Sequence, residues 1–456
     1  MMTESQKSKL AEYTAAKASC PARERLSALF DDGVFTETAT GRSAGGDPSG
    51  VVTAYGYING CPAYAFSQDS TSAKGAVSRA HSEKVCRMFD LAAKNGVPVV
   101  GIYDSCGAFI EDGADALNAY SEMLLEAGNL SGVVPTVSVI AGVCAGSMAV
   151  VAAAADHVVM TEGAELYAAV GGDSSAKAAA ESGVVSVVAE NDTAAMESVR
   201  KYLSLMPQNN LSPLPEFEFD TPAGVSFESA SDSVMSIADE GSVLELRPDF
   251  GKASMTALCT IGGTAAGIAA AGKTADKLTA DDCAKLAGFV RLCDAFSIPV
   301  VTVVDTEGFD MSGAESVRAA ARLSGAYADA TCAKIAVVSG KAYGAAFIAF
   351  AGKNAAADQV FALPEAVIAP VDPVTAAEFL YHDKLKGASD LAAERNKVAA
   401  EYAENEASAF AAAEKGAVDD VIPAENVRSA VMGVLEITAG KRLNKRLPKK
   451  HSVLPL

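Results

Sequence analysis

The sequence predicts an α/β protein in which one fold is used twice. Two apolar runs that end in Asp carry this reading, VPVVGIYD at 97–104 and IPVVTVVD at 298–305. Each leads into a glycine turn, a polar helical spacer, a second apolar run (VPTVSVIAGVCAGSMAVV and AKIAVVSGKAYGAAFIAF) and a turn of small residues. Each is also preceded by a hairpin pattern and then a helical one, the order of an α/β unit. Between the copies, residues 206–224 hold Pro207, Pro213, Pro215 and Pro222 with little periodicity, which marks a boundary. The expected domains are residues 1–212 and 213–456.

In chain order, residues 4–30 read as helices, the second being ARERLSALF with apolar residues at helical spacing, ended by Asp31-Asp32-Gly33. Residues 50–69 alternate apolar and polar around Asn59-Gly60, and Asn-Gly between two such runs signals a hairpin. Residues 78–94 turn helical, with Asn95-Gly96 as the stop before the first Asp-ended strand. In the second half, residues 233–273 give a helix and another glycine-turned hairpin. The helix ADDCAKLAGFVRLCDAF then leads to the strand at Ile298. Helices at 372–413 and 424–439 finish the chain.

Half of the residues are apolar and 21% are charged, a balance that fits deep cores in a soluble protein. The net charge of -20 argues against a nucleic-acid surface, because phosphate binding rests on Lys and Arg. The basic run Lys441, Arg442, Lys445, Arg446, Lys449, Lys450 is the exception, read as a solvated tail or as an anion or partner contact. Nine scattered cysteines without a CxxC pair indicate neither a disulfide framework nor a zinc site. The sequence near the N-terminus has no apolar core of a secretory signal, and glycines and polar residues interrupt every run that could span a membrane. A cytoplasmic protein with no direct membrane span is expected.

GIAAAGKT at 267–274 satisfies the P-loop pattern, and VVTVVDTEG at 300–308 resembles a nucleotide-binding strand. A P-loop needs its first Gly after a strand and a helix starting at its Lys. Here the apolar strand runs through Gly267, and the next helix is better started at Thr279, an N-cap residue. The nucleotide reading is therefore set aside.

The segments DSCGAFIEDG, VCAGSMAV, RLCDAFSIPVVTVVDTEGF and SGKAYGAAF, with ARERLSALFDDGVFTE before them and KRLPKKHSVLPL after, resemble the carboxyltransferase subunit of biotin-dependent acyl-CoA carboxylases and decarboxylases. The resemblance runs through nearly the whole chain in order. It implies two tandem crotonase-like domains, acyl-CoA on the N-terminal domain and biotin on the C-terminal domain of another subunit, and a homo-oligomer (dimer or trimer of dimers). Carboxyl transfer then passes through two enolates, each needing an oxyanion hole of backbone N–H groups at a glycine turn opening a helix. Biotin itself is expected to shuttle the α-proton, in keeping with only four histidines.

Carried over residue by residue, the resemblance puts the thioester hole on Gly107, Ala108, Gly146 and Ser147. The biotin hole falls on Gly308 and Phe309 with Gly344, Ala345 and Ala346, and Phe347 and Ile348 wall the acyl group. The alternative is that these small residues only permit tight turns. This chain departs from the family in having Cys106 for Gly and Phe109 for Arg in DSCGAF, Ser147-Met148 for Gly-Ala, Ala345 for Gly and Phe347 for Tyr, and GFDMSG for GFLPG. Cys106 and Cys144 could suggest a nucleophile, but no His follows at a suggestive spacing, and small buried hydrophobes are the other reading. No biotinylation motif or ATP module is seen. The biotin carrier protein and either biotin carboxylase or a membrane decarboxylase subunit are therefore expected as separate chains. Other classes left open are a non-catalytic scaffold and a CoA-ester hydratase or hydrolase.

Overall fold

Asn59 and Gly60 both take left-handed backbone (φ 53° and 75°) and turn β2 (Val51–Ile58) back on β3 (Cys61–Gln68). Gly262 and Gly263 (φ 62° and 79°) do the same for β10 (Ser254–Ile261) and β11 (Thr264–Gly272). The computed structural model describes residues 2–15, 19–39, 49–272, 277–310, 312–353 and 355–441. The chain folds as two compact units, Met1–Pro213 and Leu214–Leu456.

In the first unit, β1 (Phe35–Thr38), the hairpin, β4 (Val99–Ser105), β5 (Thr136–Ala145), β6 (His157–Thr161) and β8 (Val187–Ala189) form one sheet in that order, and β7 (Glu165–Tyr167) pairs with the far end of β5. The second unit repeats it. There β9 (Leu244–Glu245), the hairpin, β13 (Val300–Thr306), β15 (Lys334–Tyr343), β16 (Gln359–Ala362) and β18 (Asp420–Val421) follow in the same order, with β17 (Val367–Ala369) on the far end of β15. A short pair, β12 (Lys277–Leu278) with β14 (Gly308–Phe309), lies beside it. The halves are thus two α/β domains of one architecture.

The connecting helices begin and end where their caps dictate. Arg79–Asn95 is capped by Ser78, whose Oγ accepts the His81 N–H, and is stopped by left-handed Gly96. Ala280–Ala295 starts with a full capping box from Thr279 and Asp282. Six residues after each cap comes a buried lysine that ties the helix to the hairpin. Lys84 donates to Val51 O (2.5 Å) and Ser49 Oγ (3.1 Å), and Lys285 donates to Ser254 O (2.8 Å). Burial pulls both amines down to about 8. Gly267 sits inside β11, paired with Leu258 and Val300 and packed under Phe289 and Cys293, so it cannot open a phosphate loop. Lys273 and Thr274 lie outside the described residues, as does the basic run beyond Lys441.

The feature that shapes both sheets is a register slip at the Asp-ended strands. Tyr103 faces Ile140 but Ser105 faces Cys144, and Val304 faces Val338 but Thr306 faces Ala342. The carboxylates of Asp104 and Asp305 fill the slack, lying over Gly142 and Gly340, where any Cβ would overlap them. Asp104 is fixed there by Arg25 Nη1 (3.0 Å) and Ser70 Oγ (2.8 Å), and Asp305 accepts the Lys341 N–H (2.7 Å). Gly142→Ala, facing a carboxylate that cannot swing away, should cost about 1–3 kcal/mol. Denaturant melts of this variant beside Gly128→Ala, a helical glycine with open space around it, measure the difference.

Candidate functional site

The slip carries β5 and β15 past their neighbours, so each ends in a turn that abuts the turn after the Asp-ended strand. In the first unit a Cβ on Gly107 would lie 3.6 Å from Ala145 O, in ordinary contact. Gly107 (φ 112°) donates its N–H to Ser105 Oγ (3.2 Å) and accepts the Val77 N–H (2.8 Å); Phe109 N–H reaches back to Val77 O (3.0 Å). Ala108 N–H, between them, has no acceptor among the described residues. Across the turn, Gly146 (φ 64°) donates to Tyr167 O (2.9 Å) and caps the helix Ser147–Ala153. That leaves the Ser147 and Met148 N–H groups as the unpaired donors of a helix start. Ala108 and Ser147 are exposed; Met148 is buried.

The second unit repeats these bonds. Gly308 (φ 131°) donates to Thr306 Oγ1 (3.2 Å), Leu278 faces Phe309, and Asp310 N–H donates to Leu278 O (2.8 Å), so the Phe309 N–H is turned away from β12. Gly344 (φ 48°) donates to Ala369 O (2.9 Å) and caps the helix Ala345–Ala351, whose first free donors are Ala345 and Ala346. A Cβ on Gly344 would strike Pro370 O at 2.8 Å, so glycine is required there on two counts. Ala345 is exposed and Ala346 buried, Phe347 is half-buried, and Ile348 is 63% exposed on the outer face of the helix. Phe309 packs its ring on Phe350.

Each unit therefore brings together its own group of expected residues, and the glycines and the residues after them do different things. Gly107, Gly146, Gly308 and Gly344 set the turn and spend their N–H groups holding it. Ala108 and Ser147, like Phe309 and Ala345, present the open donors. Such a pair beside a helix start favours an oxygen that gains negative charge. Of the carboxylates nearest the turns, Asp104 is committed to Arg25 and Ser70, Asp305 accepts a backbone N–H, and Glu307 is paired with Lys341 (2.7 Å). Cys144 is buried and its thiol is pushed up to about 12, so it stays protonated, while Cys106 is exposed at the lip. Phe109 offers no charge. A separate cleft of about 720 Å³ is lined by Glu190, Asp192 and Glu197 and contains none of the turn residues.

Sequence reasoning did not single out the layer under the first turn. Gln68, fully buried, accepts the Asp104 N–H on Oε1 (3.0 Å) and sets its Nε2 against His81 Nε2 (3.3 Å) and Met148 Sδ (3.4 Å). His81 is buried too; desolvation, helped by the Lys84 charge, pushes it down to about 3. It is a neutral prop for the turn and no proton carrier. Arg25 was also missed, although it bonds Asp104, Asp192 and Ala141 O together. The signal for the lysines was present in the repeat, since Lys84 and Lys285 stand at the same distance from Ser78 and Thr279.

Known proteins resemble this chain over nearly its whole length. The carboxyl transferase domain model matches residues 14–454. The methylmalonyl-CoA decarboxylase subunit alpha of Propionigenium modestum is 33% identical, covering 98% of this chain and 95% of its own. The methylmalonyl-CoA carboxyltransferase 12S subunit of Propionibacterium freudenreichii subsp. shermanii is 34% identical over 95% of this chain and 91% of its own. A crystal structure of transcarboxylase 12S, described as a hexamer assembly with hydrolysed methylmalonyl-coenzyme A bound, superposes with a TM-score of 0.89 at 32% identity, covering 98% of this chain and 95% of the other.

The buried imidazole has a consequence for stability. Between pH 6.5 and about 3 the unfolded chain binds a proton at His81 that the folded chain refuses, so stability falls as pH falls through that window. The slope is about 1.4 kcal/mol per pH unit for one proton. His81→Leu should remove this component whatever it does to overall stability, which denaturant melts of both proteins from pH 7 to pH 4 measure.

Proposed function

The chain belongs to the carboxyl transferase family, the carboxyltransferases of biotin-dependent carboxylases and decarboxylases, and from that premise we propose that its two turns divide the two substrates between them. The turn of Ala108 and Ser147 takes the thioester oxygen of a short acyl-CoA, acetyl or propionyl in size or the carboxylated forms of these. The turn of Phe309 and Ala345 takes the ureido oxygen of biotin borne on a separate carrier protein. The observation that supports this is the repetition of one bonding pattern that leaves corresponding N–H groups open in each unit.

Biotin, when bound, supplies the ureido nitrogen that carries the carboxyl group and an oxygen that gains charge as that group departs. Both turns fit such groups, offering backbone donors, and the Lys341 ammonium beside the second is paired with Glu307. Ala108 and Ser147 stabilise the charge that grows on the thioester oxygen when the α-carbon becomes nucleophilic, and Phe309 and Ala345 do the same for the ureido oxygen. Because the donors are backbone atoms locked by Gly146 and Gly344, they need no reorganisation as charge develops. Cys106, Phe109, Ser147, Met148, Ala345 and Phe347 change side chains around the turns but remove no N–H.

A biotin carrier and a biotin carboxylase or membrane decarboxylase subunit are the proposed partners, and nine unpaired cysteines favour a reducing cytoplasm. Among the described residues no helix is long and apolar enough to cross a membrane. Leu117, Leu125, Phe379 and Leu380 are more than half exposed and leave apolar surface for a homo-oligomer, a dimer or trimer of dimers. A sedimentation profile of monomer alone at micromolar concentration would contradict that assembly.

Proline at the first helical position is tolerated and removes only an N–H. Ser147→Pro and Ala345→Pro should each lower kcat for transfer from malonyl-CoA or methylmalonyl-CoA to biotin by about 10²–10³, with KM and melting temperature little changed. Turnover by the wild type that needs no biotin would overturn the proposed reaction, and full activity in both variants would overturn the proposed donors.

In the same reading Ile348 limits the acyl chain. A hydrophobic wall discriminates one methylene by about 1–3 kcal/mol, so Ile348→Gly should raise the ratio of kcat/KM for butyryl-CoA over acetyl-CoA. An unmoved ratio with activity intact would place Ile348 away from the acyl group.

A further inference from the structure

The two turns share their backbone but differ in charge. Lys341 stands three residues before Gly344 and Glu307 directly before Gly308, and their side chains pair at 2.7 Å across the second turn. The corresponding residues of the first unit are Val143 and Cys106, which carry no such pair. Everything the fold needs is repeated in both units: the register slip, the Asp over the glycine, the capped helix and the hairpin-bound lysine. The ion pair is not repeated, so the fold does not require it. Its side chains are 43% and 31% exposed, a setting in which such a pair contributes little to stability and opens at small cost. Asp305, which accepts the Lys341 N–H, and Asp372, which caps the helix Pro373–Leu380, join the pair in the electrostatic surroundings of Tyr343.

We propose that Lys341 and Glu307 form a carboxylate-exchange pair at the second turn: Lys341 leaves Glu307 for the carboxylate that the ureido ring brings in, and returns to Glu307 once that carboxylate has gone. The inference rests on the reading that this turn is the biotin side. Glu307 acts as the stand-in that keeps the ammonium aimed at the turn and prevents it from holding the transferred group too tightly. With a neutral ureido ring the pair is closed; with a carboxylated one the ammonium faces the new anion. The backbone donors serve the ureido oxygen and Lys341 serves the carboxylate, so each end of the reacting group has its own partner.

The test uses the full chain with biotinamide, which has no charge of its own. Calorimetry on biotinamide-saturated protein, titrated with bicarbonate as the carboxylate probe, should show binding tightened at least about threefold in Glu307→Gln and abolished in Lys341→Met, with biotinamide affinity unchanged. In transfer from methylmalonyl-CoA, Lys341→Met should lose about tenfold in kcat at unchanged KM for biotinamide, and Lys341→Arg should recover most of it. Bicarbonate binding that neither variant alters, or equal losses in both with lowered melting temperatures, would overturn the exchange and leave the pair a fastener. Altered bicarbonate binding together with a raised KM for the acyl-CoA instead of a kcat loss would keep the carboxylate contact but overturn the assignment of this turn to biotin.

Discussion

The placement of one carboxylate over one glycine is the constraint on which each half depends. Where Asp104 and Asp305 lean across their neighbouring strands, the ladder slips, and only Gly142 and Gly340 leave room for them. Without the slip, β5 and β15 would end level with the strands beside them, and their glycine turns would not stand next to Gly107 and Gly308. The helix starts would then point at solvent with no second donor beside them. The Asp residues that look, in sequence, like acids placed at the end of an apolar run for chemistry are therefore structural. Arg25 and Ser70 on one, and the Lys341 backbone on the other, leave them no freedom to act on a substrate.

Because the donors are main-chain atoms, the side chains around them are free to diverge. Ala108 answers to Phe309, Ser147 to Ala345, Cys106 to Glu307 and Val143 to Lys341. The first unit places a polar network of Gln68, His81 and Met148 beneath its turn, whereas the second has the aromatic contacts of Phe309 and Tyr327 with Phe350. A neutral His81 suits the role proposed for the former turn: a charged imidazole beneath it would bind anions in the ground state as well as in the transition state, which accelerates nothing.

Much of this was legible in the sequence because repeats expose what periodicity alone leaves ambiguous. Asn59-Gly60 and Gly262-Gly263 fix the hairpins through left-handed backbone, Ser78 and Thr279 fix the helix starts through their hydroxyls, and the Asp-to-glycine-turn spacing recurs. The turns themselves were legible as small residues, but their division of labour was not. Whether a given N–H is spent on a neighbour depends on contacts such as Gly146 with Tyr167 and Gly344 with Ala369, made by the short strands β7 and β17, which carry no pattern of their own. Arg25 was hidden for the same reason, since its partners Asp104 and Asp192 are distant along the chain and nothing local marks it.

Where this chain departs from its family's glycines, φ decides whether the backbone N–H groups keep their places. Substituting a glycine is harmful where φ is positive or where a Cβ has no room, and at Gly107, Gly146, Gly308 and Gly344 the chain has kept glycine. The changed positions 147 and 345 open helices, a conformation every L-residue adopts, so Ser147 and Ala345 present the same N–H that glycine would. Glycine in a helix start costs backbone entropy on folding, and its replacement by Ala or Ser stiffens the turn that holds the donor. The substitutions at 147 and 345 therefore fall where the backbone tolerates them, and the proposed donors, being backbone atoms, persist through side-chain changes that would remove a side-chain donor.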